Sequence, residues 1–204
     1  MDWMLLIYTL PSHPSRKRAY VWRELKKLGS VYLRDGVALL PERDSLREHL
    51  SRIAERIIAE EGSCELALHP QFLQRSDEEL RQRFQEERLL EYRELHHACV
   101  RFLRDVLEEV DADDFGFPDV ENLEGELGRL HRWFDQVQSR DYFQAPGSDR
   151  VQEALEKCDR AFEHFSSEAS GSVETDDSRR QREDVFERLG SPSNSVAAPE
   201  EYPL

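Results

Sequence analysis

Seven cationic side chains crowd between His13 and Arg34: Arg16, Lys17, Arg18, Arg23, Lys26, Lys27 and Arg34, against one acid, Glu24. At 100° per residue, Arg16, Arg23 and Lys27 fall within about 40° of one another on a helix. Guanidinium and ammonium groups clustered in this way suit phosphate oxygens, and a nucleic-acid backbone is the ligand they would meet. The competing reading is a solvated helix face, or a patch that docks on acidic helices of the same chain. No helix-turn-helix pattern accompanies the ridge, so the residues predict backbone contact without a means of reading bases.

Other reactive side chains carry less. His96 and Cys99, three apart on a helical pattern, could share a metal with His131 or Cys158 if the helices packed suitably. The simpler reading puts Cys99 in a core and one histidine in water. His69, beside Pro70, reads as a surface residue. Asp111, Asp113 and Asp119 lack the glycine and terminal glutamate of a calcium loop. Cys64, Cys99 and Cys158 are odd in number, far apart and set in apolar patterns, which predicts buried reduced thiols. Tyr8-Thr9-Leu10 fills the place near the end of the first strand where a ferredoxin-like ribonuclease would carry an acid. Metal-assisted hydrolysis therefore finds no carboxylate there. No catalytic residue, metal or cofactor is expected.

The elements that must carry the ridge follow from periodicity. Residues 3–10 form an apolar run that predicts a central strand, too short to cross a membrane. Ser12 and Ser15 offer caps for a helix over 15–28, with a stripe of Val21, Trp22, Leu25 and Leu28 and with Gly29 at its end. Asp35-Gly36 predicts a hairpin turn within 31–40. Asp44 or Ser45, with Glu48 three residues after Ser45, predicts the start of a second helix. Leu46, Leu50, Ile53 and Ile57 make its stripe, and Gly62 its end. Cys64, Leu66 and Leu68 alternate with polar or small residues as a short strand. Ser76 and Glu79 form a further capping box before an unbroken helical pattern to about Val110. Two more stripes follow: Leu123, Leu127, Leu130, Phe134 and Val137, then Val151, Leu155, Cys158, Phe162 and Phe165.

The expected class is α+β. A ferredoxin-like β-α-β-β-α-β head over 1–75 leads into a long helix and an antiparallel helical bundle over 76–168. Residues 169–204 turn to Ser, Glu, Gly, Pro and Asp and predict a disordered tail, with a brief helix within Ser178–Leu189. Residues 1–75 hold 12 basic and 10 acidic side chains; residues 76–204 hold 16 and 33, so the net charges are +2 and −17. That asymmetry predicts two parts with different electrostatic roles. Asp2 stands where a secretory signal would carry basic residues, and no small-residue cleavage site follows, which predicts a cytoplasmic protein. The long helix, apolar along its length, predicts packing beyond the head and a homodimer.

Tyr8-Thr9-Leu10-Pro11, Pro14-Ser15-Arg16, Val21-Trp22-Arg23, Leu25-Lys26-Lys27-Leu28-Gly29, Asp35-Gly36-Val37 and Leu40-Pro41 together resemble the N-terminal region of the ChrB family. These are chromate-responsive bacterial regulators. Arg140-Asp141-Tyr142-Phe143 and the Cys158–Phe165 pattern resemble the helical extension of the same family, so the similarity covers roughly residues 3–168. A looser similarity is to the middle domain of PaaX-type repressors. The resemblance implies transcription control linked to chromate resistance, with DNA as a partner and no enzymatic turnover. Full-length family members carry a further C-terminal domain associated with chromate response; this sequence has its Ser- and Glu-rich stretch there. The alternative function is a protein-interaction or scaffold module whose helical bundle binds a partner.

Overall fold

The computed structural model describes residues 2–111 and 117–169. The expected break around 112–116, the Asp113 position and everything after residue 169, the short helix within Ser178–Leu189 included, lie outside the described residues. The chain is mixed α and β, with four strands and five helices described: β1 Trp3–Thr9, α1 Ser15–Lys27, β2 Val31–Arg34, β3 Val37–Pro41, α2 Asp44–Ala59, β4 Ser63–Leu68, α3 Asp77–Asp111, α4 Phe117–Ser139 and α5 Ser148–Ala169. Among the described residues no helix is long and apolar enough to cross a membrane.

The strands form one sheet in the order β2-β3-β1-β4, every neighbouring pair antiparallel. β1 lies inside it, as an apolar strand flanked on both edges should. Successive side chains of a strand point to opposite faces, and β1 uses both. Met4 and Leu6 join Val21 and Leu25 of α1 and Leu46, Leu50 and Ile57 of α2 in one core. Trp3 and Leu5 join Val31, Val37 and Leu39 in a second core on the other face, closed by Leu80 and Phe84 of α3. Each such side chain contributes about 1.5–3 kcal/mol by leaving water.

The second core depends on residues far along the chain. Trp3 stacks on Phe84 at 5.6 Å, and Phe143 meets both rings at 5.8 and 5.3 Å. Trp3 Nε1 donates to Asp77 Oδ1 at 2.8 Å. The corner between α4 and α5 is held at each residue of its Arg-Asp-Tyr-Phe run. Arg140 reaches Glu91 at 3.0 Å. Asp141 accepts from the Tyr92 hydroxyl and from the Ala145 N–H. The Tyr142 hydroxyl donates to the Leu28 carbonyl at 2.7 Å, while Arg43 lies over its ring. Gln85 donates to the Phe143 carbonyl.

The described chain divides into two compact units. The first holds residues up to Leu95 together with Trp133–Asp149, and the second holds His96–Arg132 with residues from Arg150 on. In the second unit Cys99, Phe102 and Val106 of α3, Leu123, Leu127 and Leu130 of α4, and Val151, Leu155, Cys158 and Phe165 of α5 are all buried. Phe162 is half-buried. α5 touches both other helices: the Cys158 thiol donates to the Cys99 carbonyl at 3.5 Å, and His131 pairs with Asp159 at 2.7 Å. His131 is thereby engaged by a carboxylate and is not part of a metal cluster with His96 and Cys99. Cys99 and Cys158 are buried free thiols; Cys64 is also a free thiol but only half-buried.

Local starts differ from expectation where the backbone sets the cap. Ser15 is the first residue of α1, not its cap; Pro14 holds the extended cap position and makes no side-chain bond. Arg43 takes that position for α2, so Asp44 and Ser45 lie inside the helix and the Ser45–Glu48 box does not form. Asp44 instead puts its charge in the first turn, where the helix dipole favours it. The Ser76–Glu79 box does form: Ser76 N–H donates to Glu79 Oε2 at 2.7 Å and Glu79 N–H to Ser76 Oγ at 3.2 Å. The end of α2 also differs, because Glu61, with φ of +61°, takes the left-handed position ahead of Gly62.

Candidate nucleic-acid interface

α1 positions the basic ridge. Val21 and Leu25 face the core and Leu28 is half-buried, which turns the opposite side of the helix to solvent. Leu28 closes the helix, and Gly29 follows with φ of +70°, as a glycine at this site allows. Arg16, Arg18, Arg23 and Lys27 are exposed, and so is Arg34 at the end of β2; Lys17 and Lys26 are half-buried.

The seven side chains are not equivalent. Lys17 binds Glu60 at 2.9 Å and Lys26 binds Glu87 at 2.6 Å. Lys27 binds Glu24 at 2.7 Å, three residues back on its own helix. The Lys17 ammonium, hydrogen-bonded to Glu60, holds that carboxyl below the usual carboxylate range, with Arg56 and Arg16 adding to the effect. Lys26 also lies 5.8 Å from the centre of the Tyr32 ring. Among the described residues, no carboxylate lies within ion-pair distance of Arg16, Arg18, Arg23 or Arg34. The ridge therefore splits into three lysines engaged by the chain's own acids and four arginines free to meet an outside anion.

Two aromatic residues belong to this surface, and the periodicity reading missed both. Trp22 is 51% exposed and Tyr20 is 45% exposed. Trp22 was expected in the apolar stripe, and the structure corrects that. It follows Val21 directly, so it is turned about 100° from it, while Leu25 and Leu28 stay near Val21. Angular position was the signal that separates it from the stripe. Tyr20 lies about 20° outside the sector of Arg16, Arg23 and Lys27 by the same count, so the four span about 60°. Arg56 of α2 lies 5.8 Å from the centre of the Tyr20 ring, which adds another cation beside the patch. Arg56 is itself paired with Glu60. An exposed aromatic ring on the same helix as unpaired guanidinium groups can stack on a base while those groups hold phosphates.

The aligned relatives agree with the resemblance in the sequence. Residues 18–174 match the family described as "Protein ChrB, N-terminal". Protein ChrB of Cupriavidus metallidurans is 42% identical over 60 residues, which is 29% of this chain and 18% of that protein. No solved structure matches the chain. The family match runs from within α1 to beyond the end of α5, through both compact units, and on that evidence the chain belongs to the ChrB N-terminal family.

Proposed function

We propose that this chain is a cytoplasmic, non-enzymatic transcription-regulatory protein associated with chromate resistance, and that it contacts DNA through the solvent face of α1. The observation that carries the reading is the set of exposed, unpaired guanidinium groups at Arg16, Arg18 and Arg23, on the same helix as exposed Trp22 and Tyr20, in a chain whose formal net charge is −15. An acidic protein repels a polyanion at long range, so a local basic surface is the feature that needs a ligand. We also read the head as a ferredoxin-like unit. Its β-α-β-β-α-β order and its β2-β3-β1-β4 sheet support that, as does the placing of α1 and α2 on one face. The contacts of α5 with α3 and α4 support a helical bundle after it in the chain.

The test is a titration of the full chain with duplex DNA from upstream of its own operon, at several salt concentrations. Reversing Arg16, Arg18 and Arg23 to Glu is expected to weaken binding to every sequence tried and to lower the log–log salt slope by roughly one unit per lost contact. Unchanged binding would remove α1 from the interface. A second reading has its own support: Lys17 and Lys26 already pair with Glu60 and Glu87. If cations here serve internal docking, the protein is an interaction module, and neither the parent chain nor the variant will bind DNA.

A further inference from the structure

The antiparallel register brings three strand ends together at one end of the sheet. Trp3 of β1 pairs with Pro41 of β3, and Met4 with Leu68 of β4. The residue just outside each of these positions therefore lands beside the other two: Asp2 before β1, Glu42 after β3 and His69 after β4. Backbone bonds fix the arrangement, from Glu42 N–H to the Asp2 carbonyl at 2.9 Å and from His69 N–H to the Trp3 carbonyl at 3.0 Å. We propose that Asp2, Glu42 and His69 bind a divalent transition-metal ion, with Zn²⁺ as the fitting cation.

The geometry is that of a ligand set. His69 Nδ1 lies 3.1 Å from Glu42 Oε2 and 3.5 Å from Asp2 Oδ1, and all three ligand atoms lie within 4.8 Å of one another. Tetrahedral zinc with bonds of about 2.0–2.1 Å spaces its ligand atoms roughly 3.3 Å apart. This trio is the one group of three or more converging metal-ligating side chains among the described residues. Imidazole with two carboxylates is a donor set for a borderline first-row ion rather than for Mg²⁺ or Ca²⁺, which prefer oxygen alone. Three protein ligands leave a fourth position for water.

Glu42 adds to the case. Its side chain is 12% exposed, and Oε2 is sealed from solvent and makes no hydrogen bond, although it lies 3.1 Å from His69 Nδ1. A buried carboxylate oxygen in that state is costly unless a cation, either a metal ion or a protonated His69, sits against it. The other oxygen, Oε1, is taken by Arg47. That contact orients the carboxylate with Oε2 toward His69, as outer partners of metal ligands do. His69 holds a left-handed backbone, with φ of +51°.

The experiment uses the full chain without any affinity tag, stripped of metal, and titrates Zn²⁺ alone by calorimetry. One equivalent is expected to bind, to weaken on acidification because the ligands must shed protons, and to raise the melting temperature. Asp2→Asn and His69→Asn are the informative variants. Asp2 is exposed, and asparagine tolerates the left-handed backbone at 69 better than other residues. Each is expected to weaken Zn²⁺ by roughly tenfold or more, since even outer-sphere changes cost 10–100-fold. Mg²⁺ is expected to give no comparable heat. Absence of Zn²⁺ binding by the parent chain, or binding unchanged in both variants, overturns the proposal. A lower melting temperature of metal-free His69→Asn with no Zn²⁺ binding by the parent would show the trio to be only an ion-pair cluster.

Discussion

Gly36 occupies the second position of the β2–β3 turn with φ of +71°, and a Cβ there would come within 2.4 Å of the Tyr8 carbonyl oxygen. Gly36→Ala is expected to cost about 2 kcal/mol or more, read as a lower urea midpoint, because the left-handed backbone and the close approach both oppose a side chain. Gly125 inside α4 is the control: a Cβ meets nothing within 4 Å, so Gly125→Ala should stabilise by about 0.5–1 kcal/mol. Three phenols give a different signature. Burial first, then the Tyr8 hydroxyl, pushes Tyr32 up; burial pushes Tyr142 up; and burial raises Tyr92 to about 12. A phenol whose folded value exceeds its unfolded one adds stability below the ordinary phenol range, and loses it as pH climbs toward the folded value. Stability should therefore fall above the ordinary phenol range, and phenolate absorbance should develop late, in step with unfolding. Of the residues that matter, glycines were legible because the Asp35-Gly36 and Leu28-Gly29 pairs fit few other conformations. Trp22 was not, since an aromatic side chain suits both a core and a stacking surface.

α3 shows how one element is anchored at its start. Ser76 and Glu79 exchange bonds across its first turn, and the Ser76 backbone N–H, then its hydroxyl, hold the Glu79 carboxyl below the usual carboxylate range. A depressed carboxyl adds stability above its unfolded value and loses it as pH falls through the folded one. Ser76→Ala is expected to cost about 1 kcal/mol in a thermal melt at neutral pH, and the gap between variant and parent should shrink in acid. This box was visible in the sequence because Ser76 precedes the helix directly. The Ser45 box was not real, because cap identity depends on which residue takes the extended backbone, and Arg43 takes it. The α3 stripe was legible as far as Val106: Leu80, Phe84, Leu95, Cys99, Phe102 and Val106 are all buried, while Val110, expected in the same stripe, is half-buried. The Asp2–Glu42–His69 trio was invisible, since it exists only once three strands share a register.

For the molecule as a whole, the dimer expectation rested on a long helix with apolar residues left over. Among the described residues, the large apolar side chains of α3 that stay exposed are Leu90 and Val100, at 57% and 43%, which is a small apolar surface for a stable interface. Light scattering should give a mass near 24.0 kDa rather than twice that. A dimeric mass at micromolar concentration would show that another surface mediates association. The order of strands and helices along the head was readable from alternating patterns and one turn signal, but what covers the sheet's second face was not, because Phe84 and Phe143 come from outside the strand-and-helix repeat. That cover sets where the chain can be cut. A fragment ending at residue 75 would keep all four strands and both of their helices, yet expose Trp3, Leu5, Val31, Val37 and Leu39 along one flat side. Such a piece, expressed alone, would self-associate through that bare side, and soluble expression would return only when the polypeptide runs past Phe143.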